Sequence, residues 1–204
     1  FLVSKVYPFN AGRRNIFTSC EDSLRRMKTD YLDLYLLHWR GSIPLRETVE
    51  CMEELKAKGR IRAWGVSNLD TSDIQELFAQ PDGLHCAANQ VLYNVSSRGI
   101  EYDLLPLMQE HNIPVMAYCP LAQAGQLHRG LMRAPVLQEI AAEHDATVPQ
   151  VMLAFLLAHP GVIPIPRAGR PEHTLQNVQA AQLKLTQKDL ARIDKAFEPP
   201  KRKM

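Results

Sequence analysis

A closed barrel of parallel strands wrapped by helices, the α/β class known as the (β/α)8 or TIM barrel, is the fold that this sequence predicts. Three observations predict it. Short apolar runs alternate with stripes of helical spacing along the whole chain, and strands separated by helices pair in parallel. Ionisable or amide side chains stand at the carboxyl end of each run: Lys5, His38, Ser67-Asn68, Asn89-Gln90, Tyr118-Cys119 and Arg167. No G-x-G-x-x-G follows the first run, so the dinucleotide fingerprint of an open doubly wound sheet is missing. An open sheet gathers its site at one switch point, whereas a barrel collects groups from many strand ends around one mouth.

The elements follow in order. Phe1–Val6 reads as a strand carrying Lys5. Asn15–Met27 reads as a helix, with Ile16, Cys20, Leu24 and Met27 on one face. Five of the six residues from Leu32 to Leu37 are apolar or aromatic. That is the pattern of a strand buried on both faces, and it stops at His38. Pro44 suits a first helical position, Leu45, Val49, Met52 and Leu55 form the next stripe, and Gly59 ends it.

Ile61–Ser67 is the third strand. A helix opened by Asp70 or Thr71 carries Ile74, Leu77 and Phe78. Cys86–Val91 and Pro114–Cys119 read as strands on either side of a helix over Asp103–His111. Helical stretches over Pro135–His144 and Val148–His159 follow, the second capped by Thr147. Val162–Pro166 is the last strand, with helices near Thr174–Ala181 and from Gln187 to Phe197. Thr186 and Asp189 stand at capping-box spacing before the last of these.

These runs make six strand–helix units, two fewer than a closed barrel of this class needs. The expectation is one domain over residues 1–204 that lacks the first two units. The chain would then be a piece of a longer one, because an open edge leaves backbone groups unpaired.

Composition narrows the function. Twenty-four basic residues against 22 acidic give a net charge of +2, which argues for no nucleic-acid or anionic-membrane partner. Lys201-Arg202-Lys203 reads as a solvated tail. The four cysteines are scattered with no C-x-x-C, which suits a reducing cytoplasm. No apolar run approaches the ~20 residues of a membrane span. The seven histidines are dispersed and show no metal-ligand spacing.

Lys5 and His38 form a candidate proton-handling pair. A strand-end lysine can form a Schiff base, or it can lower the pKa of a neighbouring phenol by its charge. The histidine can orient a carbonyl oxygen or relay a proton. Ser67, Asn68 and Gln90 offer the donors and acceptors that suit a carboxamide, although Asn68 could instead start a turn. Tyr118 could stack on a flat ring or simply pack at the mouth. Arg167, Arg170 and His173, just before the helix containing Asn177, suit a phosphate. The loop Leu121–Gly130, with Gly125 and Gly130, would let backbone approach a pyrophosphate.

These residues resemble the aldo-keto reductases across essentially the whole chain. The segments that carry the resemblance are Val3-Ser4-Lys5, Asp30 to Trp39, Gly59 to Asn68, Asn89 to Asn94, and Ala117 to Leu121. Near the end, Ile163 to Arg167 and Arg170 to His173, followed by Asn177, look like the family's adenosine-phosphate segment. The bacterial branch with short loops is the most similar.

The resemblance implies a (β/α)8 barrel, bound NADPH/NADP+, and hydride transfer to the carbonyl carbon of a small aldehyde or ketone. Of the family's Asp, Tyr, Lys and His tetrad, Lys5 and His38 match the last two. The tyrosine proton donor and the aspartate lie, in the family, before the lysine strand and so outside this chain. By motif position Ser67, Asn68 and Gln90 hold the carboxamide, and Tyr118 stacks on the nicotinamide. Cys119, Pro120, Leu121, Gln123, Gly125 and Leu127 line the pyrophosphate loop. Arg167, Arg170 and His173 face the 2′-phosphate, and Gln176 and Asn177 the adenine. Trp39 lines the substrate pocket.

Three positions depart from the usual pattern. Arg167 replaces a common Lys, and His173 replaces a common Arg and is mostly neutral near pH 7, which softens the preference for NADPH. Cys119 replaces a common Ser. The branch implies a monomer and substrates such as methylglyoxal or other dicarbonyls. Two other readings share these residues: an NADP(H)-sensing regulatory subunit like the β subunits of voltage-gated potassium channels, and a Schiff-base aldolase using Lys5.

Overall fold

The protein was analysed as a computed structural model, which describes residues 1–123 and 125–203. They form two compact units, divided between Val91 and Leu92.

In the first unit, strands β1 (Val3–Val6), β2 (Leu32–Leu37), β3 (Ile61–Ser67) and β4 (Asn89–Leu92) alternate with helices α1 (Ile16–Met27), α2 (Leu45–Ala57) and α3 (Thr71–Phe78). Each strand pairs in parallel with the next. Lys5 stands level with Leu36, and Ser67 level with Gln90. Leu32, Leu34, Tyr35, Leu36 and Leu37 are all buried, so β2 is the two-sided core strand that its apolar run predicts.

Helix ends follow local chemistry. Gly59, at φ +70°, closes α2 by letting Arg60 N–H reach the Leu55 carbonyl at 3.0 Å. Asp70, the first of the two residues expected to open α3, forms a reciprocal capping box with Asp73.

The second unit holds β5 (Val115–Tyr118) and β6 (Val162–Pro164), again parallel. Around them run α4 (Leu104–Glu110), α5 (Gln126–Met132), α6 (Pro135–Glu143), α7 (Val148–Leu157), α8 (Pro171–Gln179) and α9 (Gln187–Ala196). Six consecutive residues of α7, from Val151 to Leu156, are buried, which makes it the core helix of the unit. Capping boxes at Thr147 with Gln150 and at Thr186 with Asp189 open α7 and α9.

Arg98, only 6% exposed, binds the Glu101 carboxylate through two nitrogens at 2.8 and 2.7 Å. It also donates to the Phe197 carbonyl at 2.6 Å, pairs with Asp194 at 2.8 Å and lies over the Phe155 ring. A buried guanidinium is tolerated because its donors are taken up in this way.

Three elements differ from expectation. β4 begins at Asn89 rather than Cys86, so Asn89 and Gln90 open the strand instead of ending it. The helix expected near Thr174 begins at Pro171, whose fixed φ and missing N–H suit a first turn, so His173 lies inside the helix rather than before it. The loop read over Leu121–Gly130 contains the start of α5; Ala124 lies outside the described residues.

Candidate active site

The first unit brings its predicted residues together at one end of its strands. Lys5, half-buried, sits one residue before the end of β1, and His38 follows directly on β2. The backbone of His38 is held on both sides. Its N–H donates to Val6 O at 3.0 Å, and its carbonyl accepts from Asn68 Nδ2 at 3.0 Å.

Asn68 does take the turn-forming role as well: its φ of 57° is left-handed, a region that Asn tolerates through local hydrogen bonds. Its Nδ2 also donates to Ser67 Oγ at 3.1 Å, and the Ser67 hydroxyl donates to Gln90 O at 2.7 Å. A second bond, Asn68 N–H to Gln90 O at 2.9 Å, ties the start of β4 to the end of β3. The level register of Ser67 and Gln90 thus brings Gln90 to the site, although β4 starts later than expected.

Electrostatics couple the two ionisable groups. Burial lowers the pKa of Lys5 below that of a free lysine. Burial and then the positive charge of Lys5 lower the pKa of His38 below the ordinary imidazole value. The charged form of His38 is thereby disfavoured, and its ring nitrogens can donate or accept at a carbonyl oxygen.

An aromatic cluster surrounds it. Trp39, read as a substrate-pocket residue, lies with its ring 4.7 Å from that of His38. Tyr7 and Phe9, which the sequence reading passed over, extend the cluster. Their signal was present in the alternation Tyr7-Pro8-Phe9 directly after the Lys5 strand. Arg40 braces the loop that carries His38 and Trp39, donating to Gly41 O at 2.5 Å, to Ile43 O at 3.0 Å and to Glu76 of α3 at 3.0 Å.

In the second unit, Tyr118 ends β5 half-buried, and Cys119 follows at φ 49°. The Cys119 carbonyl accepts from Asn94 Nδ2 at 3.1 Å and from Ala122 N–H at 2.9 Å, which bends the chain sharply after the strand. Cys119, Pro120, Leu121 and Arg167 line a cleft of ≈ 180 Å³ with Ala122, Ile165 and Pro166.

A second cleft, ≈ 630 Å³, is lined by Pro166, Arg167, Ala168, Thr174, Asn177 and Val178. Arg167 and Pro166 border both. Thr174 was not anticipated; its spacing of three from Asn177 puts the two on one face of α8. Arg170 is the residue before α8, and its guanidinium meets His173 Nε2 at 2.9 Å.

The remaining predicted residues stand apart. Gln123, Gly125 and Leu127 are exposed around the start of α5 and line neither cleft, and the Gln176 carbonyl accepts from Gln150. The exposed arginines, the helix start beside them and the cleft lined by Asn177 and Thr174 suit a phosphorylated nucleoside. Among the described residues no cluster of His, Cys, Asp and Glu could hold a metal ion, and no helix is long and apolar enough to cross a membrane.

The chain is 55% identical over 203 residues to methylglyoxal reductase YeaE of Escherichia coli (strain K12), covering 100% of this chain and 72% of the relative. It is 34% identical over 194 residues to glyoxal reductase of Bacillus subtilis (strain 168), covering 95% and 67%. A crystal structure of an aldo/keto reductase from Klebsiella pneumoniae in complex with NADP and acetate superimposes with a TM-score of 0.97 at 57% identity, covering 100% of this chain and 72% of that one. Such structures are (β/α)8 barrels, which gives the fold class of this chain. The aldo/keto reductase family model matches residues 1–198, and the chain belongs to that family.

Proposed function

We propose that this chain is the catalytic and cofactor-binding part of an NADP-dependent reductase that converts small aldehydes and ketones to alcohols. Dicarbonyls of the methylglyoxal and glyoxal kind are the substrate class, as the names of its relatives suggest. The observation that carries the reading is the placement of Lys5 and His38 at the same end of neighbouring parallel strands, with Asn68 fixing the His38 carbonyl.

Bound NADPH supplies the hydride. Ser67, Asn68 and Gln90 bind the carboxamide end, and Tyr118 offers a ring to stack. Cys119, Pro120 and Leu121 line the path of the pyrophosphate, together with Gln123, Gly125 and Leu127. Arg167, Arg170 and His173 face the 2′-phosphate, the two arginines supplying the charge, and Gln176 and Asn177 meet the adenine. These assignments rest on motif position, and for Cys119, Pro120, Leu121, Arg167 and Asn177 also on the two clefts bordered by Arg167.

His38, whose charged form burial and Lys5 disfavour, orients the substrate oxygen. The Lys5 ammonium lowers the pKa of the phenol that delivers the proton, a tyrosine that the resemblance places outside residues 1–204. Trp39 walls the substrate. The protein acts as a cytoplasmic monomer in this reading.

Replacing Lys5 by Met, in protein that includes the tyrosine-bearing segment implied by the resemblance, tests the scheme. Turnover should fall about a hundred- to ten-thousand-fold while NADPH binding, read by fluorescence quenching, stays close to wild type. Near-normal turnover in that variant rules the scheme out.

A further inference from the structure

The backbone of His38 is pinned by Val6 and Asn68, but the contacts on its ring are aromatic. The Tyr7 ring stacks on the imidazole at a centroid distance of 5.6 Å and 20° between planes. Phe9 stacks on Tyr7 at 5.3 Å and 14°, making a three-ring pile. Trp39 closes the corner, edge-on to Tyr7 at 5.5 Å and tilted against His38 at 4.7 Å.

The pile is built by the chain rather than by accidental contact. Pro8 and the short 3-10 turn Pro8–Asn10 fold the chain back directly after Tyr7. Gly41, in the loop after β2, lies so close to Pro8 that an added Cβ would stand 2.5 Å from the Pro8 Cβ. That close approach clamps the turn after β1 onto the loop that carries His38. A ring-on-ring contact fixes the plane of an imidazole while leaving its nitrogens free to face a substrate.

We propose that Tyr7 is a positioning residue whose ring, backed by Phe9 and Trp39, sets the plane of the His38 imidazole for the carbonyl oxygen. The proposal rests on the reading of His38 as the group that orients the substrate. It assigns the work to the ring of Tyr7 and none to its hydroxyl. Because Tyr7 is 50% exposed, substitution there leaves the core intact.

The test compares Tyr7→Phe with Tyr7→Leu by two readouts. In the first, the ring protons of His38 are followed by NMR, which needs neither cofactor nor turnover. Their upfield ring-current displacement should persist in Tyr7→Phe and collapse in Tyr7→Leu. In the second, steady-state reduction of a small dicarbonyl is measured with NADPH, on protein that includes the tyrosine-bearing segment implied by the resemblance. Tyr7→Phe should stay within about twofold of wild type, whereas Tyr7→Leu should lose about 10- to 100-fold in kcat, the penalty of a misaligned catalytic group. The KM for NADPH should not change.

Unchanged His38 shifts in Tyr7→Leu overturn the proposal, as does a Tyr7→Phe variant as impaired as Tyr7→Leu. If wild type itself reduces no carbonyl while the His38 shifts respond as expected, the ring placement stands and the reductase reading falls.

Discussion

Asp189, at the third position of α9, is 2% exposed and holds together two elements of the second unit. Its Oδ2 accepts from the Thr186 N–H at 2.9 Å, the Thr186 hydroxyl at 2.7 Å and His144 Nε2 at 2.9 Å. Burial pushes its pKa up, but the hydrogen bonds from Thr186 and His144 outweigh burial and bring it from 3.8 down to about 2. At about 1.36 kcal/mol per unit, that drop corresponds to roughly 2 kcal/mol of folding stability at neutral pH.

The perturbation is Asp189→Asn, which keeps size and one acceptor but deletes the charge. Urea unfolding at neutral pH should show the variant less stable by roughly 2 kcal/mol, or about 4–8 °C in Tm for a chain of this size. A depressed carboxyl pKa stabilises the fold above the unfolded value and loses that contribution as pH falls through the folded one. The gap between wild type and variant should therefore close between 3.8 and about 2. A gap under about 0.5 kcal/mol at neutral pH, the range of ordinary surface substitutions, would falsify the reasoning. So would a gap that persists unchanged in acid.

Three further outcomes are expected. In Lys5→Met, the His38 titration midpoint followed by NMR should move up, because the cation that opposes imidazole protonation is gone. Arg167→Ala should weaken NADPH binding by about 10- to 100-fold, the worth of a charge-assisted hydrogen bond, and leave NADH binding nearly unchanged; isothermal titration separates the two. Arg98→Met leaves the half-buried Glu101 with the Tyr93 hydroxyl but no cation, and should cost about 3 kcal/mol in chemical denaturation.

The first unit was legible in sequence because its signals are local. The β2 run needs burial on both faces, and Gly59 and the Asp70–Asp73 box end and start helices by contacts within one turn. Lys5 and His38 could be paired from sequence because parallel neighbours end at the same level.

The second unit was less legible where structure depends on distant partners. The four partners of buried Arg98 reach it from Glu101, Phe155, Asp194 and Phe197, which no short motif joins. Helix α5 has Gly130 within seven residues, and glycine weakens a helical pattern. Tyr7 escaped notice because its role comes from the fold-back at Pro8 and the close approach of Gly41, and a single aromatic residue in sequence announces neither.

The measurement closest to the heart of the account follows deuterium from nicotinamide-deuterated NADPH into the alcohol formed from methylglyoxal, with wild-type protein that includes the tyrosine-bearing segment implied by the resemblance and with its Lys5→Met variant. Label on the new carbinol carbon in wild type, and its near absence in the variant, is the predicted result. Equal labelling in both proteins, or tight NADPH binding with no label transferred by wild type, contradicts it.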